Sequence, residues 1–325
     1  MKIGIFDSGL GGLIIAKAIR KAMPEYDYVY LGDTKRVPYG NRSHEAVFEF
    51  TKEAMNYLFK KENCAIVIIA CNTSSARALR RIQQEYLVDY NNTRRLMGES
   101  ERKILGVLIP TAEECAKYEK VGILGTAGTI NSNTFPNEIK KINLKNKKNK
   151  NLSFSRHTQY YIPKPHSGWS ASRGKGANFY FLEKSTSSSY FTQVFQNSAP
   201  MLVPLIEEGE KVLAVQFIKK YLKPFLNKKL DAVALGCTHY PFYKNEIKRV
   251  LGKKVKVISQ DEIIPKKLKE YFAQHPEIEK KLAKNKKAKI LVTDITPNIK
   301  KLSQKWFGKN TKPELIHLLK PYSNQ

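Results

Sequence analysis

The sequence predicts an α/β fold of two similar, doubly wound parallel-sheet domains. They are related by pseudo-two-fold symmetry, with the active site in the cleft between them. Two observations predict this. Short apolar, β-branched runs alternate with stretches of helical periodicity, the pattern of a parallel sheet covered on both faces. The alternation also occurs twice, with similar turns and a cysteine at corresponding strand ends. The first domain is expected to comprise 1–98 plus 262–325, and the second 99–261.

The elements follow in order. KIGIFD (2–7) is an apolar run ending in a polar turn, and LIIAKAIRKAM (13–23) has helical spacing. YDYVYLGD (26–33) is a second strand. SHEAVFEFTKEAMNYLFKK (43–61) is a long amphipathic helix entered at Ser43, with Ala46, Phe50, Ala54 and Leu58 on one face. AIVIIACNT (65–73) is a strand without alternation, as expected when both faces are buried, and SSARALRRIQQEYL (74–87) is a helix. The second half repeats the plan. KILGVLIP (103–110) is a strand, TAEECAKYEK (111–120) a helix, and KVGILGTAGTINS (120–132) a strand with a turn. PLIEEGEKVLAVQFIKKYLKPFL (204–226) is helical. DAVALGCTHYP (231–241) is a strand ending at a cysteine, PFYKNEIKRVL (241–251) a helix and KVKVISQ (254–260) a strand. AKILVTD (288–294) and a closing helix finish the chain.

Aligning the halves sets Asp7-Ser8 opposite Gly125-Thr126, and Cys71-Asn72-Thr73 opposite Cys237-Thr238-His239. From Asp7 to Cys71 is 64 positions and from Gly125 to Cys237 is 112, so the second half carries 48 more (112 − 64). The excess lies at about 141–200. Residues 141–150 hold five lysines and three asparagines, 163–176 are turn-rich, and 185–189 read STSSS. This is the signature of a basic, low-complexity surface insertion, flexible in part. FYFLEK (179–184) is a candidate short strand within it.

Composition narrows the function. No run of eighteen apolar residues predicts a membrane span, and the N-terminus has no signal-peptide pattern. A cytoplasmic protein with no membrane partner is expected. The four cysteines, Cys64, Cys71, Cys115 and Cys237, form no CxxC pair and no zinc-ligand spacing, so free thiols and no metal are expected. A net charge of +28 leaves a nucleic-acid partner open. Scattered lysines without a nucleic-acid-binding motif favour solvated faces instead. Gly9, Gly11 and Gly12 lack the Lys-Ser/Thr of a phosphate loop and the spacing of a dinucleotide fingerprint.

Ligands of open α/β sheets bind beyond the carboxyl ends of strands, where Asp7, Ser8, Cys71, Thr126, Cys237 and His239 all fall. Both cysteines are also expected to head helices, where N–H groups and the dipole favour anions. Two thiols at equivalent places of a repeat suit inversion of a carbon bearing a weakly acidic proton. One thiolate removes the proton from one face, and one thiol returns a proton on the other. Asp7 and His239 are candidate tuning partners, one per half. A pyridoxal-dependent route would need a Schiff-base lysine and a phosphate cup, and no motif supplies both.

DSGLGG (7–12), VPYG (37–40), ACNTSSA (70–76), GTAGTINS (125–132), PLIEEGE (204–210) and GCTHYP (236–241) resemble, in order and context, the glutamate racemases of the aspartate/glutamate racemase superfamily. The resemblance covers about 1–140 and 200–310. It implies a cofactor-independent racemase that supplies D-glutamate for peptidoglycan, and thus for cell-wall biogenesis and cell shape. By position, Cys71 would serve the D-enantiomer and Cys237 the L-enantiomer, with Asp7, Glu207 and His239 assisting. Ser8, Tyr39, Gly40, Asn72, Thr73, Thr126, Thr129 and Thr238 would contact substrate, as would Asp7 and His239. Glutamate is the implied small-molecule partner, and a homodimer is expected. Aspartate as substrate, or a basic nucleic-acid- or protein-binding role with weakened catalysis, stays open. The chain departs from the family pattern at Ser198-Ala199-Pro200, at Ile258-Ser259-Gln260 and in the insertion.

Overall fold

A computed structural model describes residues 1–157 and 191–318. The FYFLEK, turn-rich and serine-rich stretches of the insertion lie outside the described residues. Among the described residues ten strands form two sheets, and every pairing is parallel. In chain order they are β1 (Lys2–Asp7), β2 (Tyr28–Gly32), β3 (Cys64–Ile69), β4 (Lys103–Gly106), β5 (Lys120–Gly125), β6 (Gln193–Ser198), β7 (Ala232–Gly236), β8 (Lys256–Ile258), β9 (Ala288–Val292) and β10 (Glu314–Leu315). The first sheet runs β10-β9-β2-β1-β3-β4 and the second β6-β5-β7-β8.

The shared motif is four strands long. The order β2-β1-β3-β4 maps onto β6-β5-β7-β8, so β1 corresponds to β5 and β3 to β7. This corrects the expected place of residues 103–106. The sequence pattern sets this run at the opening of the second domain, but Ile66–Ile69 pair with Lys103–Gly106 and hold it in the first sheet. It is the counterpart of β8, and the chain crosses to the second sheet only after Gly106.

The central strands of the first sheet, β1, β2 and β3, bury both faces, which is why they read as unbroken apolar runs. Ile3, Ile5, Tyr28, Tyr30, Ile66 and Ile68 face a core shared with Leu124, Val233, Leu235 and Val257 of the second sheet. Phe6, Val29, Leu31, Val67 and Ile69 face the other way, beneath helix His44–Lys60. The second sheet turns Val121, Ile123, Ala232 and Ala234 toward helix Leu108–Cys115 and toward Phe135 and Ile139. One continuous core therefore joins the sheets and holds their strand ends against each other.

Several helices differ from expectation. Ser43 does cap helix His44–Lys60, accepting from Ala46 N at 3.1 Å. Its buried stripe, however, is Val47, Phe48, Thr51, Ala54, Met55, Leu58 and Phe59, while Ala46 and Phe50 are only half-buried. The run expected at 204–226 is two helices, Leu202–Glu208 and Lys211–Leu226. Gly209 separates them at φ 79°, a left-handed C-terminal stop that glycine adopts without steric cost. Strand β6 and helix Gln260–Gln274 were not foreseen.

Candidate active site

The carboxyl ends of β1, β3, β5 and β7 converge, and each delivers site residues from the turn that follows it. Asp7 closes β1. Its Oδ2 accepts from Gly9 N at 3.2 Å and Gly12 N at 3.1 Å, which folds the glycine turn around the carboxylate. Burial raises the Asp7 pKa, and the Glu207 carboxylate adds to this, against lowering by His239 and by the Gly12 and Gly9 N–H groups. From the opposite sheet Thr238 Oγ1 donates to Asp7 Oδ1 at 3.4 Å. Asp7 thus stands beneath the site with its oxygens turned into its own loop and toward Thr238. It was expected to touch substrate and to serve the Cys71 half. It is not among the residues that line the cleft, but its Oδ1 meets only Thr238 at 3.4 Å and its charge acts on the Cys71 thiol.

Cys71 follows β3 as the N-cap of helix Asn72–Arg77. Ser74 N donates to its sulfur at 3.4 Å, and its thiol donates to Ser8 Oγ at 3.3 Å. Burial pushes the Cys71 thiol pKa up and Asp7 adds to that, while Ser8 and Ser74 act the other way. The free N–H groups of a helix N-terminus stabilise negative charge there.

Cys237 follows β7 but heads no α-helix, contrary to expectation. Tyr240 N bonds back to Cys237 O at 3.2 Å and a 3₁₀ turn, Tyr240–Tyr243, follows. Pro241 has no N–H with which to close an α-helical turn onto Cys237. A different partner takes the helix terminus's place. His239 Nδ1 lies 3.8 Å from Cys237 Sγ, and its Nε2 is 2.9 Å from Glu207 Oε1. Burial alone would depress the imidazole pKa. Cys237 and Glu207 outweigh it and push the value up to about 10. Trp306, from the helix Pro297–Trp306, meets the His239 ring edge-on at 5.8 Å between centroids. Glu207 is the member of the Glu207-Glu208 pair turned inward; Glu208 and Glu210 are exposed.

These residues enclose a cleft of about 370 Å³. Ser8, Tyr39, Gly40, Cys71, Asn72, Thr73, Thr126, Glu207, Cys237, Thr238 and His239 line it, so both thiols face one space. Thr129 stands one layer behind, bonded to Thr126 Oγ1 at 3.0 Å, and Thr126 in turn meets Thr73 Oγ1 at 3.0 Å. The Tyr39 hydroxyl donates to Asp33 Oδ2 at 2.5 Å, and its ring packs with Phe6 and Phe50 at 6.4 and 5.5 Å between centroids. The Asn72 amide is engaged by Gln260. Sequence reasoning missed the apolar wall formed by Val37, Pro38, Met201 and Val203. Apolar residues at such positions read as core, and only the tertiary fold turns them toward a cleft.

No family model matches the chain. Among curated proteins, a glutamate racemase of Aquifex aeolicus is 31% identical over 320 residues, covering 97% of each chain. A glutamate racemase of Aquifex pyrophilus is 31% identical over 315 residues, covering 95% of each. Among solved structures, a glutamate racemase isoform from Bacillus anthracis superposes with a TM-score of 0.73 at 26% identity, covering 98% of this chain and 97% of that one. A glutamate racemase from Francisella tularensis, in complex with D-glutamate, gives 0.72 at 25% identity with the same coverage.

Proposed function

The chain belongs to the glutamate racemase family of amino-acid isomerases, and from that premise we propose that it interconverts L- and D-glutamate by proton transfer between Cys71 and Cys237. The observation that carries the mechanism is the shared cleft. Two thiols at equivalent strand ends, β3 and β7, line a single cavity of about 370 Å³.

The step balances without a cofactor. A thiolate on one side takes the Cα proton, the C–H electron pair remains on carbon and spreads into the carboxylate, and the opposite thiol delivers its proton to the other face. One thiolate and one thiol enter, and the same pair leaves with roles exchanged. Carry-over from the family assigns Cys237 to L-glutamate and Cys71 to D-glutamate. His239, protonated up to about pH 10, places a positive charge 3.8 Å from Cys237 Sγ and is itself held by Glu207. At Cys71 the Ser74 N–H and the Ser8 hydroxyl perform the corresponding service. Backbone N–H groups of the loops around Ser8, Thr73 and Thr238, with the threonine hydroxyls, are suited to the substrate carboxylates and to charge developing in the transition state.

We further propose that the D-glutamate enters peptidoglycan synthesis and that the reaction takes place in the cytoplasm, where free thiols persist. No helix among the described residues is long and apolar enough to cross a membrane. The test is circular dichroism of L-glutamate, D-glutamate and L-aspartate with purified protein and no added cofactor. Loss of optical activity from both glutamate enantiomers is expected, and its abolition in Cys71→Ala and in Cys237→Ala. Full activity in either variant refutes the two-thiol mechanism. Faster turnover of aspartate refutes the substrate.

A further inference from the structure

Gln260 is the first residue of helix Gln260–Gln274, directly after β8 and Ser259. It is fully buried, 188 positions from Asn72, yet the two side-chain amides form a closed ring. Asn72 Nδ2 donates to Gln260 Oε1 at 2.8 Å, and Gln260 Nε2 donates to Asn72 Oδ1 at 2.7 Å. Gln260 Nε2 also donates to Thr111 Oγ1 at 3.2 Å. The Thr111 hydroxyl hydrogen is already committed to Val107 O at 2.7 Å, so toward Gln260 this oxygen can only accept.

That commitment fixes the polarity of the whole relay. An amide's oxygen and nitrogen have nearly the same shape, and only the bonding network decides which is where. With Thr111 able only to accept, Gln260 must present its NH₂. Its oxygen must then face Asn72, and Asn72 must present NH₂ in return. Asn72 opens the helix that Cys71 caps and lines the cleft. The ring therefore ties the Cys71-bearing turn of the first sheet to the end of β8 in the second.

We propose that Gln260 is a positioning residue for the racemisation, holding Asn72 in one amide orientation and, through it, setting the Cys71 thiol against the substrate. This rests on the two-thiol reading above.

The consequence is directional. A racemisation equilibrium constant of one forces kcat/KM to fall equally for both enantiomers, so the ratio of rates reveals nothing. The α-deuterium isotope effect does. If the Cys71 transfers alone are slowed, abstraction from D-glutamate becomes rate-limiting. From L-glutamate, abstraction by Cys237 is followed by a slow reprotonation, which masks the substrate isotope effect.

The experiment uses the full chain carrying Gln260→Ala, Gln260→Glu or Thr111→Val, with protonated and Cα-deuterated glutamate of each hand. Gln260→Glu keeps the size, but its carboxylate donates to neither Asn72 nor Thr111. Thr111→Val leaves both amides in place and removes the group that selects their polarity. Displacement of a reacting group by about 1 Å costs on the order of 100-fold. We therefore expect kcat/KM to fall about 10- to 100-fold in the Gln260 variants and by less in Thr111→Val. The isotope effect should rise from D-glutamate and shrink toward one from L-glutamate, with cooperative thermal unfolding retained. Should Gln260→Ala fail to fold, the other two variants carry the same test. Equal isotope effects for the two hands in folded variants, or wild-type kinetics in Gln260→Glu, overturn the proposal. An asymmetry of opposite sense supports the tether and reverses the enantiomer assignment. Failure of the two-thiol reading shows separately, as racemisation surviving Cys71→Ala.

Discussion

At Gly11 the turn after β1 packs directly against Thr238 and His239 from the turn after β7. A Cβ on Gly11 would lie 2.4 Å from His239 Nδ1, 2.5 Å from His239 Cε1 and 2.5 Å from Thr238 Oγ1. Ordinary van der Waals contact begins near 3.4 Å, so Gly11→Ala must open the contact by about 1 Å. Gly11 is not among the positive-φ glycines, so alanine suffers no backbone penalty and the effect is purely the clash. The imidazole cannot simply retreat. Its Nε2 is held by Glu207 at 2.9 Å, and the indole of Trp306 stands beside the ring. A displacement of about 1 Å between a catalytic group and its substrate costs on the order of 100-fold in rate, or about 2.7 kcal/mol of activation free energy at 1.36 kcal/mol per tenfold. Overpacking should also lower stability by about 1–3 kcal/mol. The assay is racemisation followed by circular dichroism, with urea unfolding alongside. Gly308→Ala is the control, because its Cβ would meet nothing closer than Thr311 Oγ1 at 3.9 Å. Wild-type kcat/KM in Gly11→Ala would show that His239 and Thr238 do not need their observed positions, and the account of the Cys237 half would fail.

Glu207→Gln should lower the His239 pKa from about 10, since the carboxylate helps hold the proton against burial; the alkaline limb of kcat/KM should move down in pH, and NMR titration of the imidazole checks the cause. With a folded-state pKa above the unfolded value of about 6.5, the His239 contribution is complete below that pH and is lost as pH rises toward 10. Denaturation from pH 6 to 10 should show a flatter decline in Glu207→Gln than in wild type. Replacing 146–190 by a short Gly/Ser linker should leave cooperative unfolding and activity in place, because Asn143 Nδ2 and Thr192 Oγ1 already meet at 3.2 Å across the excised span; loss of either property would show the segment to be structural. Tyr240→Phe removes one hydroxyl that reaches Gly125 O at 3.1 Å and Ala199 O at 2.9 Å. Each carbonyl keeps a backbone partner, Ala199 N and Leu202 N, so the loss should cost about 0.5–1.5 kcal/mol in urea unfolding, and an unchanged midpoint would refute that.

The strands were legible because parallel strands buried on both faces must be unbroken apolar runs, as KIGIFD and CAIVII are. Strand β6, QVFQNS, is half-buried at a sheet edge and mostly polar, so no such run marks it. Helix Gln260–Gln274 has Pro265 inside it, which masks its periodicity; at the sixth position the proline removes the N–H that would bond Asp261 O, and the buried face of Ile264, Pro265, Leu268 and Phe272 holds the helix nonetheless. The thiols were legible because each ends a strand, and strand ends are where such sheets bind ligands. Trp306 behind His239, Gln260 behind Asn72 and the apolar wall at Met201 and Val203 were not. Each acts through a contact between segments far apart in the chain, and nothing in the local pattern separates such a residue from ordinary core.

The two thiol sites are asymmetric. Duplication of the four-strand motif places Cys71 and Cys237 at equivalent ends, but one local residue makes their surroundings diverge. Without a proline after it, the Cys71 turn continues into a helix, and the backbone N–H of Ser74 reaches the sulfur. With Pro241, the Cys237 turn cannot, and a side chain, His239 backed by Glu207, supplies the stabilising charge instead. Inversion of a carbon does not require the two acid–base groups to be alike. Each thiol must be able to hold a proton on arrival of one enantiomer and release it on arrival of the other, and the equilibrium between the enantiomers stays at one however the barriers are divided. On the two-thiol reading proposed above, symmetry of the fold is thus needed for position, to set two thiols on opposite faces of one substrate. The tuning of each thiol can be built from whatever donors its own loop provides.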